Sequence, residues 1–167
     1  GTTIPAGYDA ARDALLADER PGDVVVLPWG VYRAFDWNAR RSSLDPAPRL
    51  LPRSSVVDDR LVVARPDRGE VVVAGEDPRA AVVTTALEQG RPLVDVLPGL
   101  GVRFVLIESG TPGAPPAAVL AGLEPVTAGP GATVLGVPGA VAPAAGPAPW
   151  RVAVVALGDA AAVLLLL

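Results

Sequence analysis

Two stretches of this chain carry apolar, largely β-branched residues with almost no polar interruption, "DVVVLPW" at 23–29 and "VRFVLIE" at 102–108. A run of that kind offers no face to water, so each reads as a central strand of a sheet covered on both sides. "YDAARDALLADERPGD" has a different period. It places Ala10, Ala14, Leu15 and Ala17 on one side of a helical wheel and Asp13, Asp18 and Arg20 outside, which predicts a helix from about 8 to 19 stopped by Pro21-Gly22. In "GEDPRAAVVTTALEQGRP", Asp77 is placed as an N-cap, Pro78 at the first helical position and Gly90 as the stop, with Ala81, Val82, Ala86 and Leu87 as the apolar positions.

Shorter signals fill in the rest. "RLVVA" (60–64) and "EVVVAG" (70–75) flank "RPDRG" as a hairpin, and strands at 124–128 and 132–137 flank the turn Gly129-Pro130-Gly131. "PLVDVLPGLG" reads as a short helical piece leading into the strand at 102–108. Between Asp36 and Asp59 the pattern dissolves, and Pro46, Pro48 and Pro52 are expected to hold extended backbone and prevent helix. Loops of that length in a compact domain are usually functional or disordered. Helices alternating with buried strands predict an α/β fold: a layered mixed sheet flanked by helices, Rossmann-like without a dinucleotide motif.

The expected organisation is one α/β domain over 1–140, a Pro/Ala/Gly linker over 141–149 and an apolar helix over 150–167. Residues 152–167 hold Asp159 as their only charge. Sixteen residues fall short of the ~20 that cross a bilayer, but the run continues to the last residue. It reads as the start of a transmembrane segment with Trp150-Arg151 at the interface, or as a buried terminal helix of the same domain.

Composition narrows the chemistry. Half of the 167 residues are hydrophobic, mainly Ala, Val and Leu, and neither Cys nor His occurs. Disulfides, thiolate catalysis and a histidine general base are therefore impossible within the chain. All fourteen basic residues are Arg and the net charge is −4, with no basic run beyond Arg40-Arg41, so no nucleic-acid partner is expected. There is no Met either, and the chain reads as an excised piece of a longer protein. No cofactor motif is present and no metal site is expected.

One segment concentrates what candidate chemistry there is. Although the sequence has only three Trp, two Tyr and two Phe, Trp29, Tyr32, Phe35 and Trp37 fall within nine positions, beside Asn38, Arg40 and Arg41. Aromatic faces stack on sugar rings while Arg and Asn satisfy hydroxyls, and such a set after a strand end is where α/β sheets place ligands. Tyr32, Trp37, Asn38, Arg40 and Arg41 are the candidate ligand-binding residues. The alternative is that Trp29, Tyr32 and Phe35, spaced by three, form the packed side of a short helix, leaving Trp37 as the most exposed of the four. Asp58-Asp59 could be an acid/base pair or cation site, but adjacent strand residues point to opposite faces, which favours a solvated turn. "GEDPR" lacks the glycine spacing of a phosphate loop and reads as a helix cap.

"PLVDVLPGLGVRFVLIESG", followed by "LAGLEPVTAGPGATVLGVPG" and an apolar segment, resembles the extracytoplasmic domain near the C-terminus of polytopic bacterial membrane proteins of the GT-C glycosyltransferase type and the related YfhO-like group. "DVVVLPWGVYRAFDWN" resembles the first strand of actinobacterial members. The resemblance spans most of 8–140. It implies a domain standing outside the cell membrane, non-catalytic itself, that helps hold an acceptor glycan, a lipid-linked sugar or a partner. The family's catalytic carboxylates lie between early transmembrane helices without counterpart in this sequence, so no catalytic residue carries over. Two other readings stand beside it: a carboxylate-dependent glycan-active enzyme using Asp36, Asp45, Asp58 or Asp59, and a pure interaction module.

Overall fold

The computed structural model describes residues 3–65, 69–73 and 75–143. The chain runs α1 (Gly7–Ala17), β1 (Asp23–Leu27), β2 (Tyr32–Arg33), β3 (Ser43–Leu44), α2 (Ala47–Leu50), β4 (Ser55–Val56), β5 (Leu61–Arg65), β6 (Gly69–Val73), α3 (Pro78–Glu88), β7 (Val102–Glu108), β8 (Glu124–Gly129) and β9 (Ala132–Gly136). Single 3-10 turns lie at Asp36–Asn38, Leu93–Asp95 and Leu97–Leu100. The expected terminal helix over 150–167, and residues 144–149 of the expected linker, lie outside the described residues. Among the described residues no helix is long and apolar enough to cross a membrane.

Five strands form the central mixed sheet in the order β4-β1-β7-β9-β8. β1 runs parallel to both β4 and β7, and β9 joins β7 to β8 by antiparallel pairing. Period-2 alternation divides the two apolar runs between the faces. Val24, Val26, Phe104 and Leu106 meet Tyr8, Ala11 and Leu15 of α1 and Ala47 of α2. Val25, Leu27 and Val105 meet Ala80, Val83 and Ala86 of α3 together with Leu93 and Leu97. Unbroken strand hydrophobicity is thus explained by helices on both sides. β5 and β6 form a separate two-stranded sheet, as do β2 and β3.

The six longer strands lie close to where the sequence places them, whereas the two-residue strands β2, β3 and β4 were not expected and the buried faces of the helices differ. α1 buries Gly7, Tyr8, Ala11 and Leu15, leaving Ala10 and Ala17 exposed, and it ends two residues earlier than expected. Its carbonyl end is capped from a distance. Arg53 donates to the carbonyls of Leu15 (3.1 Å), Asp18, Arg20 (2.7 Å) and Gly22 (3.0 Å), with its guanidinium over the Phe104 ring at 4.8 Å. The Leu15 carbonyl is one that the helix itself leaves unpaired, and the other three belong to the turn that follows it. The start of α1 approaches the β8–β9 turn so closely that a Cβ on Gly7 would lie 2.4 Å from the Pro130 carbonyl oxygen.

In α3 the buried positions are Ala80, Val83, Thr84 and Ala86, and Ala81 and Val82 face outward. With alanine and valine on every side of the wheel, the sequence carries little amphipathic contrast to set the rotation. The cap is as expected: the Asp77 carboxylate accepts from the Arg79 N–H at 2.9 Å. The three-proline stretch corrects a second expectation, because α2 forms within it. Pro46 occupies the N-cap position and Pro48 the first turn, where a missing N–H costs nothing, while Asp45 accepts from the Ala47 N–H at 2.8 Å.

Candidate functional site

The loops that follow β1 and β7 leave the same edge of the sheet, since these central strands are parallel neighbours. They are tied to each other: the Asp36 N–H donates to the Gly110 carbonyl at 2.7 Å and the Ala34 N–H to Thr111 Oγ1 at 3.3 Å. The carboxyl ends of parallel strands are where α/β sheets place ligands. The aromatic segment stands there.

Beneath it lies a buried charge cluster that joins four elements. Arg33 of β2 donates through Nε to Glu108 Oε2 (2.5 Å), through Nη2 to Asp45 Oδ2 (2.8 Å) and through Nη1 to the Gly30 carbonyl (2.5 Å). Tyr8 of α1 donates its hydroxyl to Glu108 Oε1 at 2.6 Å. The Arg33 side chain is 2% exposed and that of Glu108 fully buried. One guanidinium serves two carboxylates, and the consequence falls on Glu108. Burial first, then the charge of Asp45, pushes its carboxyl from 4.5 up to about 7, against the lowering effect of Tyr8 and Arg33. Burial, followed by the Glu108 charge, raises the Tyr8 hydroxyl and keeps it a neutral donor.

The sign for stability follows from linkage. A carboxyl whose native pKa lies above its unfolded value is protonated more readily in the folded chain. Its contribution is present in full below pH 4.5 and is lost as pH rises through about 7. Asp18, held down at about 2 by the Arg20 side chain, acts in the opposite sense at lower pH. The melting temperature is therefore expected to fall between pH 4.5 and 7 more steeply in the wild type than in Glu108→Gln, and equal slopes would refute this role of Glu108.

Arg33 points inward, so its neighbour Tyr32 points outward and is 64% exposed, opposite Leu44 on β3. Beside this pair lies an open groove of about 180 Å³ lined by Val31, Leu44, Asp45, Pro48, Arg49 and Val57. No helix spans Trp29, Tyr32 and Phe35, because β2 intervenes and sends the three rings apart. Trp29 packs towards α3, its Nε1–H donating to Thr84 Oγ1 at 2.9 Å. Phe35 is fully buried, and Trp37 stacks on it with ring centres 4.7 Å apart. Trp37 is half-buried, and the most exposed of the four aromatics is Tyr32.

Asp36, Trp37, Asn38, Arg40 and Arg41 come together in one tight turn. Arg40 pairs with Asp36 at 2.7 Å, and the Asn38 amide donates to the Arg41 carbonyl at 3.4 Å. Ala39 and Arg40 both adopt left-handed backbone, with φ of 50° and 55°. Such a conformation costs a side-chain-bearing residue about 1–2 kcal/mol. The turn is held by bonds from the N–H groups of Ala39 to Asp36, Arg40 to Phe35 and Arg41 to Asn38. The Trp37 indole N–H is buried without an acceptor among the described residues. Tyr32, on the β2–β3 hairpin, lies outside this turn.

The four aspartates of the enzymatic alternative are dispersed and occupied. Asp36 binds Arg40, Asp45 binds Arg33 and caps α2, Asp58 binds Arg60 at 2.7 Å, and Asp59 accepts the Glu76 N–H at 3.0 Å. Arg60 holds the Asp58 carboxyl below its usual range. Among the described residues no three acidic side chains gather as they would around a metal ion. The sequence reading missed the Tyr8–Arg33–Asp45–Glu108 cluster; a lone Arg inside an aromatic segment and a Glu closing an apolar strand were its only traces.

No protein-family model matches the chain, and no curated protein matches it. Solved structures do. A cryo-EM structure of arabinofuranosyltransferase AftD from Mycobacteria aligns over 82% of this chain and 12% of that chain, with 18% identity and a TM-score of 0.55. The fold is similar to that of a stretch of AftD. A mutant form of AftD aligns over 83% of this chain and 13% of its own at 17% identity, with a TM-score of 0.56. The present chain thus spans about an eighth of the AftD chain. At the level of fold, this likeness falls on the class of protein to which the sequence resemblance pointed.

Proposed function

We propose that this chain is an accessory, non-catalytic domain of a membrane glycosyltransferase-like protein, standing on the extracytoplasmic side and binding a glycan or a lipid-linked sugar acceptor during cell-envelope polysaccharide assembly. The observation that carries the binding role is the 36–41 turn at the carboxyl ends of β1 and β7. It carries the half-buried Trp37, its ring held by stacking on Phe35, and the side chains of Asn38 and Arg41, around a backbone in left-handed conformation at Ala39 and Arg40. Strain retained by surrounding bonds is a recurrent property of binding sites. The AftD likeness supports the glycosyltransferase setting and suggests arabinofuranose as the first sugar to test. The structural employment of all four candidate aspartates supports the absence of a reaction centre.

An arabinofuranose oligosaccharide titrated against the chain is expected to change the tryptophan fluorescence. Trp37→Ala should weaken binding by about 1–3 kcal/mol, the scale of an aromatic hot spot, and Arg41→Ala should weaken it less. A wild-type chain that responds to no arabinose-, galactose- or mannose-containing oligosaccharide would sink the binding role.

A further inference from the structure

The β5–β6 hairpin stands outside the core. It takes part in neither buried cluster, and Leu61, Val62, Val63, Val71, Val72 and Val73 are each between 38% and 56% exposed. Its two outer edges are unpaired among the described residues, so it is a two-stranded sheet of the kind that is marginal when left alone in water. Exposed apolar surface on this scale marks a contact with another phase or chain.

Register divides the hairpin into unlike faces. Leu61 opposes Val73 and Val63 opposes Val71, which puts four large apolar residues on one face, with Arg65 opposite Gly69 as the next pair on that face, at the end towards the turn. The other face carries Val62 opposite Val72, and its next pair includes Glu70. Glu70 gives that second face to water. The stretch 65–70, "RPDRGE", from the end of β5 to the start of β6, holds four charged residues, so burying that end in hydrocarbon would be costly, and unpaired strand edges there would lack partners. A flat contact at headgroup depth avoids both costs, because lipid headgroups and interfacial water can pair the edges.

The position of the hairpin selects the occupant. Asp59 accepts from the Glu76 N–H where the two strands return to the domain, and Arg79, just beyond, donates to Asp23 at 2.7 Å and to the Leu100 carbonyl at 3.3 Å. The last described residues bind the same 3-10 turn, Ala142 N–H to the Pro98 carbonyl at 2.9 Å. The sequence that follows leads into the apolar run 152–167. Through Arg79 and the 97–100 turn, the foot of the hairpin and Ala142 are thus tied to the same part of the domain. We propose that the Leu61/Val63/Val71/Val73 face lies flat on a lipid bilayer and fixes the tilt of the domain over the membrane. This rests on the membrane part of the function proposed above and is independent of the sugar-binding part.

The absence of cysteine permits single labels without background. The full chain would be reconstituted with vesicles of phosphatidylcholine and phosphatidylglycerol, carrying an environment-sensitive fluorophore on Val71→Cys, Glu70→Cys or Arg41→Cys. Lipids with a quencher near the headgroup are expected to quench the label at 71 strongly, the label at 70 weakly and the label at 41 not at all. Val63→Glu introduced together with the label at 71 should abolish that quenching. If the chain floats with vesicles but labels 70 and 71 are quenched equally, or only by aqueous iodide, the hairpin inference fails while the membrane reading stands. A label at 71 shielded from both quenchers in a concentration-dependent way would assign the face to a second copy and overturn the proposal. A chain that does not float with vesicles at all overturns both, and leaves the oligosaccharide titration to decide the sugar-binding role.

Discussion

Arg33→Met is expected to destabilise the chain by about 3–5 kcal/mol, the cost of removing one partner from a buried ion pair. The reason lies in what remains. Glu108 and Asp45 keep their burial but lose the guanidinium that bonds them both, and Tyr8 can donate a single hydrogen bond. Much of the penalty is the desolvation of carboxylates left without a cation, so it should shrink when they are neutralised. The triple variant Arg33→Met, Asp45→Asn, Glu108→Gln is therefore expected to recover part of the loss. Urea unfolding of the wild type, the single and the triple variant reads this directly. A loss below about 1 kcal/mol for Arg33→Met, within the range of an exposed pair, would mean that the cluster is not the buried lock described here.

Phe35→Ala is the second large effect, about 3–5 kcal/mol, as for other buried aromatic truncations. Phe35 is fully buried, its carbonyl accepts from both Asn38 and Arg40, and its ring supports Trp37. The cavity would open directly beneath the 36–41 turn, so tryptophan emission should shift towards that of a solvated ring along with the loss of stability. Tyr32→Ala, in the same segment but on the exposed side, should change stability by no more than about 0.5 kcal/mol. Equal losses for the two variants would contradict the inward and outward placement of these rings.

The division between what was legible and what was not follows physical range. The strands at 23–27, 102–108, 124–129 and 132–136 were legible because continuous β-branched hydrophobicity and Gly-Pro-Gly turns are local signals. The Asp77 cap was legible for the same reason, since its donor lies two residues away. The faces of α1 and α3 were misread where small apolar residues recur around the wheel and the neighbouring sheet chooses the rotation. Proline was read as a helix breaker at 46 and 48, although at a first turn it is a starter; which role it takes depends on where Asp45 is anchored.

For the candidate site, the sequence located the segment and its side-chain types but not their directions. Strand alternation at 32–33 turns Tyr32 out and Arg33 in, and a slip of one residue would exchange them. Whether Arg33 was a surface charge or the centre of a buried cluster depended on Tyr8, Asp45 and Glu108, which lie 25, 12 and 75 positions away in sequence. By itself the sequence determined the layered α/β class, the positions of the six longer strands, the absence of histidine and thiol chemistry, and the concentration of aromatics after the first strand. Tertiary structure alone decided which rings are core, which aspartates are engaged and which apolar strands remain uncovered. Local hydrophobic period is written in neighbouring residues, whereas burial and charge pairing are set by groups that meet only when the sheet brings distant strands side by side.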